Sequence, residues 1–148
     1  MSRRSYREKV FQLLFRAAFV ASEDMEEQYR HFAEDELARQ SDGEPEEDAE
    51  SEPSLKTQKN IDEVTGTVKR ILEKLPEIDR ELDQKMDDWT TERVGRVELT
   101  LLRLAVYEIR FDEKVSAAIA INEAVELAKK FGQDKSPEFI NGVLAKFA

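Results

Sequence analysis

Three arginines stand within the first seven residues of the chain: Arg3, Arg4 and Arg7. They precede or occupy the first turn of a predicted helix, where the helix dipole disfavours positive charge, so this placement costs a little stability. An arginine can hold phosphate through two parallel hydrogen bonds and can stack on a base. The cluster therefore predicts binding to RNA or DNA, and the alternative is a solvated basic terminus without a ligand.

The charge of the chain is unevenly distributed. Its formal net charge is −10, which by itself argues against a polyanionic ligand. Residues 1–20, however, carry five basic residues against one acidic residue, whereas residues 41–53 carry seven acidic residues and no basic one. Because binding to a polyanion depends on a local basic patch rather than on the total charge, the composition is compatible with nucleic-acid binding by the N-terminus.

Polar side chains also interrupt apolar helical sequence near the C-terminus. One predicted helix is apolar around nearly its whole circumference and should be buried, yet Arg103 and Glu108 lie within it. A buried charge is costly unless it is paired, so a carboxylate such as Glu108 or Glu123 is the expected partner of Arg103. Asn122 and Asn141 are expected to be internal as well, satisfying helix ends or each other. We interpret these residues as structural.

Catalysis has little support in the sequence. His31 is the only histidine, cysteine is absent, and the five glycines are scattered rather than grouped in a phosphate-binding loop. Since no spacing of His or Cys is typical of a metal site, we expect a protein that is not an enzyme and uses no metal or cofactor. Charges interrupt every apolar run before membrane length, and no signal peptide is recognisable, which predicts a cytoplasmic protein without membrane contact.

Apolar residues recur at helical spacing along most of the chain, and no segment alternates like a strand, so we predict an all-α fold of six or seven helices. The predicted helices span residues 5–20, 22–39, 55–75, 76–86, 93–111, 116–130 and 136 onward. Ser22, Ser116 and Ser136 are predicted N-caps. Gly132 is a predicted stop signal, and Pro76 should begin a separate short helix.

Residues 41–54 form a polar, acidic segment with two prolines and a single apolar residue, Ala49. Such a segment cannot bury enough apolar surface to offset the entropy lost on ordering. We therefore predict a flexible acidic loop at 41–54 within a single domain that spans residues 1–148.

Four sequence blocks near the C-terminus resemble the NusB family of bacterial transcription antitermination factors, which bind RNA. The blocks are WTTER at 89–93, LRLAVYEI at 102–109, INEAVELAK at 121–129 and FINGVL at 139–144, in the family's order and at plausible spacing. A shorter match, VFQLLF at 10–15, lies near the N-terminus. The resemblance implies two packed helical subdomains, which the periodicity alone does not predict.

The resemblance also implies a ligand and its site. Members of the family bind a short single-stranded RNA element, boxA, through an arginine-rich N-terminal stretch, and their loop between the last two helices lies close to the RNA. The RNA-binding positions that it indicates on this chain are Arg3, Arg4, Arg7, Lys9, Gln12 and Lys135. Ser5 and Tyr6 interrupt the basic cluster, in contrast to the most arginine-rich members.

Family members further bind the ribosomal protein NusE and join the antitermination complex of RNA polymerase. The resemblance places the NusE contact at Phe15, where tyrosine is common, and at Glu98; a plain core role is the alternative for Phe15. The implied function is antitermination, in which the chain and NusE bind boxA-type elements of nascent ribosomal RNA and act on the elongating polymerase.

Two other interpretations are compatible with the sequence. The chain could be a stand-alone RNA-binding domain of the kind joined to ribosomal RNA methyltransferases, or a helical protein-interaction module without an RNA role. A monomer and a homodimer both fit the sequence.

Overall fold

The computed structural model describes residues 1–42 and 53–148, and within these ranges it contains helices and turns but no β-strand. The helices are α1 Arg3–Arg16, α2 Met25–Asp42, α3 Pro53–Lys85, α4 Arg96–Phe111, α5 Ala117–Phe131 and α6 Ser136–Leu144, with short 3₁₀ helices at Ser22–Asp24 and Ala145–Phe147. The all-α prediction is confirmed. Most of the predicted acidic loop, residues 43–52, lies outside the described residues, while its predicted ends at 41–42 and 53–54 are helical.

The described residues form two compact units, 1–69 and 70–148, which we call the N-terminal and the C-terminal unit. Two helical subdomains are what the family resemblance implies. The division falls within α3, so the first half of this helix belongs to the N-terminal unit and the second half to the C-terminal unit.

The core of the N-terminal unit is built from α1, α2 and the first half of α3. Its buried apolar side chains include Val10, Phe11, Leu13, Leu14, Met25, Tyr29, Phe32, Ile61, Val64 and Val68. The hydroxyls of Tyr6 and Thr67 share a buried hydrogen bond of 2.6 Å. Since an unsatisfied buried hydroxyl is costly, this bond fixes the N-terminal part of α1 against α3.

In the C-terminal unit, α4 is the central element and packs against α5 and α6. Nine of its sixteen residues are buried, in an almost continuous run from Leu99 to Glu108. The prediction of a helix buried nearly all round is confirmed. No helix in the two described ranges is long and apolar enough to cross a membrane.

Pro76 does not separate two helices, so that prediction is wrong. It lies inside the single helix α3, where a proline removes a backbone hydrogen bond and costs about 3 kcal/mol. The apolar stripe continues in helical register on both sides of it, because Ile71, Ile78 and Leu82 are all at most 1% exposed. Burial of such side chains contributes roughly 1.5–3 kcal/mol each, which outweighs the cost of the proline.

Of the other four predicted helix signals, two are confirmed and two are wrong. The Ser116 hydroxyl accepts the Ile119 N–H at 3.2 Å and caps α5, and Gly132 follows the last residue of α5. Ser22, by contrast, lies within a 3₁₀ helix and caps nothing. Ser136 is the first residue of α6 rather than its cap, and its hydroxyl is hydrogen-bonded to Gln133 and Glu98.

The predicted partners of Arg103 are also wrong. Its guanidinium forms two hydrogen bonds of 2.9 and 2.8 Å with the Asp79 carboxylate on α3. Helix periodicity predicts which residues of one helix share a face, but it does not indicate which carboxylate of a neighbouring helix packs against Arg103. Asn122 and Asn141 are both exposed, and the prediction that they are internal is therefore wrong.

Candidate nucleic-acid interface

The predicted N-terminal RNA contacts all lie on α1, in the N-terminal unit, and we call them the basic surface: Arg3, Arg4, Arg7, Lys9 and Gln12. The helix begins at Arg3, two residues earlier than predicted, because the Ser2 hydroxyl accepts the Ser5 N–H at 3.0 Å and caps it. Arg3 and Arg4 thus occupy the first turn, which contains no acidic residue. The unfavourable placement of cations that the sequence indicated is present in the structure.

The side chains of the basic surface differ in accessibility. Arg3, Arg4 and Gln12 are exposed and Lys9 is half-buried, whereas Arg7 is only 5% exposed. Arg7 is therefore part of the interior of the unit, where a guanidinium is stable only if polar groups surround it. A ligand could reach Arg3, Arg4 and Gln12 with little rearrangement but would touch only a small part of Arg7.

Acidic residues of the same unit contact cations of the basic surface, among them Arg3 and Lys9. Arg3 lies 2.8 Å from the Glu63 carboxylate, with both side chains about half exposed, and its guanidinium also lies over the Tyr6 ring. Lys9 forms a more buried ion pair with Glu36. An exposed pair contributes about 0–1 kcal/mol and is screened by salt, so a phosphate can compete with Glu63 for Arg3 more easily than with Glu36 for Lys9.

Phe15, the predicted NusE contact on α1, belongs to a row of three aromatic rings. Its ring centroid lies 6.0 Å from that of buried Phe11 and 4.9 Å from that of Phe19. Phe15 itself is half-buried, and Phe19 is 55% exposed. The row leads from the core to solvent, so Phe15 combines core packing with an accessible apolar edge.

The C-terminal unit contains an open cleft of about 820 Å³ that brings together two other predicted residues, Glu98 and Lys135. The side chains around it carry both signs of charge and include two aromatic rings. Among the residues that line it are Asp87, Trp89, Arg93, Lys135, Glu138, Phe139, Gly142 and Lys146. The mixed charge indicates that this cleft would select a ligand by shape and stacking more than by electrostatic attraction.

Two aromatic residues of the cleft are candidate ligand contacts that the sequence reasoning did not select. Trp89 is 47% exposed, and its ring meets that of Phe139 edge to face, with centroids 6.1 Å apart. Both residues belong to blocks that carry the family resemblance, at 89–93 and 139–144. The sequence signal for this contact was the position of Trp89 in a polar block before the buried helix. A large aromatic side chain among polar residues is expected to lie at the surface, where it can bind a ligand.

No cluster of three or more His, Cys, Asp or Glu side chains that could hold a metal ion occurs in the part of the chain that the structure describes. The two candidate surfaces are thus a helix face with exposed arginines and a cleft with exposed aromatic rings. Arginine and aromatic side chains are the groups with which proteins hold the phosphates and bases of single-stranded RNA.

Comparison with known proteins shows the family to which the chain belongs. The model of the NusB family matches residues 4–148. The chain belongs to the NusB family. Curated relatives include the transcription antitermination proteins NusB of Agathobacter rectalis, 41% identical over 100% of both chains, and of Lachnoclostridium phytofermentans, 40% identical over 99% of this chain and 98% of the relative. The solved structure of T. maritima NusB is similar over 100% of this chain and 91% of that chain, with 28% identity and a TM-score of 0.76.

Proposed function

We propose that the chain acts in transcription antitermination by binding single-stranded RNA through the basic surface of α1. The observation that carries the proposal is the exposure of Arg3 and Arg4 in the first helical turn, on a chain whose net charge is −10. Membership in the NusB family supports it, since relatives that align over 98–100% of their length are named transcription antitermination proteins.

The proposed RNA is a boxA-type element of nascent ribosomal RNA. Arg3 and Arg4 bind its phosphates, Gln12 offers a neutral hydrogen-bonding group on the same helix, and Arg7 and Lys9 add positive charge. In the C-terminal unit, Lys135 contacts a phosphate, and the exposed face of Trp89 provides a platform for a base. Stacking of this kind requires unpaired bases, which favours a single strand over a duplex.

The proposed protein partner is NusE, which contacts Phe15 and Glu98, and the complex acts on the elongating RNA polymerase. The half-exposed ring of Phe15 supports an apolar contact of this kind, and it lacks the hydroxyl of the tyrosine common at this position. The chain acts by binding and not by catalysis, and it does so in the cytoplasm, where the polymerase transcribes.

The two alternative functions differ from this proposal in measurable ways. An RNA-binding domain of the methyltransferase-associated kind would bind RNA without any effect of NusE, and a protein-interaction module would bind NusE without RNA. The relatives found over their full length carry antitermination names, which favours the antitermination function over both alternatives.

The decisive experiment is a fluorescence anisotropy titration of three RNAs with the full-length chain, with and without NusE. The RNAs are a boxA-type single strand, a scrambled strand of equal composition, and a duplex. We expect the boxA-type strand to bind most tightly, and NusE to increase its affinity further. Equal affinity for the boxA-type and scrambled strands, unchanged by NusE, would overturn the proposal.

A further inference from the structure

The hydroxyl of Ser136 is the centre of a small hydrogen-bond network in the C-terminal unit. It donates to the Glu98 carboxylate at 2.6 Å and accepts the Gln133 N–H at 2.9 Å. The Ser136 N–H in turn donates to the Gln133 carbonyl at 3.0 Å. Ser136 is only 4% exposed, so this network links the first turn of α4 to the turn between α5 and α6.

Two glycines, which lack a side chain, make room for this network. A Cβ at Gly95 would lie 2.5 Å from a Glu98 carboxylate oxygen, and a Cβ at Gly132 would lie 2.6 Å from the Ser136 Cβ. Both distances are shorter than van der Waals contact, so a larger residue at either position would displace one of the two partners. A glycine therefore lies next to each partner of this hydrogen bond, Gly95 beside Glu98 and Gly132 beside Ser136.

The turn that this network closes carries Lys135. Gln133 and Ser136 are hydrogen-bonded to each other, and Lys135 lies between them as the residue that precedes α6. Its exposed side chain lines the same cleft as Glu98. A hydrogen bond from a hydroxyl to a carboxylate is stronger than one between two neutral groups. Glu98 therefore stabilises this turn more than a water molecule bonded to Ser136 would.

We propose that Glu98 is a positioning residue for the Gln133–Ser136 turn and thereby sets the RNA affinity of Lys135 in the chain alone, without a protein partner. This inference rests on the proposed RNA-binding function but assigns Glu98 a role that is separate from any contact with NusE. The sign of the effect distinguishes it from electrostatics, because removing a negative charge near a polyanion site by itself strengthens binding.

The first test measures the turn directly, by hydrogen exchange of the Gln133 amide in the free protein. Loss of one hydrogen bond of this kind corresponds to roughly five-fold in an equilibrium constant. We therefore expect about five-fold faster exchange in Glu98→Ala and in Ser136→Ala. Glu98→Gln retains an acceptor oxygen for the Ser136 hydroxyl and should leave the exchange rate near that of the parent.

Two control variants match these changes elsewhere in the same unit. Thr100→Val removes a buried hydroxyl of α4 that donates within its own helix, to the Arg96 carbonyl. Glu126→Ala removes an acidic residue of α5 whose carboxylate pairs with Lys129. Neither variant should change exchange at Gln133. Parent-like exchange at Gln133 in Glu98→Ala would overturn the inference, whatever the RNA affinity is.

The second test measures affinity for the boxA-type strand in the absence of NusE. We expect Glu98→Ala to weaken binding by roughly three-fold to five-fold. Glu98→Gln keeps the acceptor oxygen but removes the charge, so it should bind at least as tightly as the parent. Glu98→Ala combined with Lys135→Ala should bind no more weakly than Lys135→Ala alone, since both act through the same turn. Additive losses, or tighter binding by Glu98→Ala, would overturn the inference. If the parent binds no RNA, the proposed function fails and the Gln133 exchange rates alone decide the positioning role.

Discussion

The basic surface of α1 and the cleft of the C-terminal unit offer an RNA ligand different physical contacts. On α1, the exposed groups include the guanidinium ions of Arg3 and Arg4. Acidic side chains of the same unit contact cations of this surface, among them Arg3 and Lys9. In the cleft, the exposed groups include the Trp89 ring, and the lining carries lysine and arginine as well as aspartate and glutamate. We therefore expect binding of RNA at α1 to be mainly electrostatic, and binding in the cleft to depend on stacking and shape.

This difference predicts how each surface responds to salt. Phosphate contacts release condensed counterions, so they weaken as the salt concentration rises, whereas stacking on an aromatic ring does not release ions. On an acidic chain, a few exposed arginines can supply the electrostatic part only if nearby carboxylates release them. The Glu63–Arg3 pair is the contact at which this competition is accessible to experiment.

The largest expected effect is on the basic surface. Replacing Arg3 and Arg4 by alanine should weaken boxA-type RNA binding at least ten-fold, because two phosphate contacts are lost. The slope of the logarithm of affinity against the logarithm of salt concentration should decrease by about 1.4. A matched control replaces Arg30 of α2 and Arg80 of α3, two exposed arginines outside the basic surface, and should leave both quantities unchanged. Equal losses in the two double variants would show that net charge, and not the α1 surface, sets the affinity.

The second effect concerns stability in the C-terminal unit. Arg103→Ala removes a bidentate contact with Asp79. The Arg103 side chain is 20% exposed and the Asp79 side chain 26% exposed. We expect the free energy of unfolding to fall by roughly 1–2 kcal/mol, less than for a fully buried pair, because water reaches both groups. Chemical denaturation followed by circular dichroism measures this change in the free energy of unfolding. The control is Arg80→Ala, which removes an exposed arginine. An unchanged RNA affinity of folded Arg103→Ala is also expected, and a large loss would place Arg103 at the interface.

The third effect is on the cleft. Trp89→Ala should weaken RNA binding by about five-fold, at the lower end of the range for loss of one stacked base, since Trp89 also packs against Phe139. The salt slope should match that of the parent. Phe111→Ala, which removes an exposed ring of the same unit outside the cleft, is the control. A changed salt slope in Trp89→Ala would remove the distinction between the two surfaces.

The smallest expected effect has the opposite sign. Glu63→Gln should strengthen RNA binding by about two-fold at low salt, because the Glu63 carboxylate no longer competes with phosphate for Arg3. Glu34→Gln makes the same change of charge on an exposed residue of α2 and should have a smaller effect. If both variants strengthen binding equally, the Arg3–Glu63 pair does not control the accessibility of Arg3.

Local signals in the sequence were sufficient for some elements and insufficient for others. The Ser116 cap and the Gly132 stop depend on neighbouring backbone groups, and both are confirmed. The predicted helix break at Pro76 was wrong because burial of apolar residues on both sides of the proline stabilises one continuous helix. The partner of Arg103 was wrong for a related reason, since Asp79 lies 24 residues away in sequence and only packing brings the two together.

The candidate site shows the same division. Residue type and clustering were enough to select Arg3 and Arg4, and the family resemblance selected Lys135; the structure leaves all three exposed. They could not indicate that Arg7 is buried or that Glu98 is bonded to Ser136, since both facts depend on contacts with elements distant in sequence. The assignments of these residues to RNA and to NusE stay predictions.

The central claim, that RNA lies on the basic surface and in the cleft, is tested most directly by photo-crosslinking. The boxA-type strand, with thiouridine in place of single uridines, is irradiated in complex with the full-length chain, and the cross-linked peptides are identified by mass spectrometry. We predict cross-links within residues 3–12 and at Trp89 or Phe139. Cross-links confined to the exposed face of α2, with none in residues 3–12 or around the cleft, would contradict the claim.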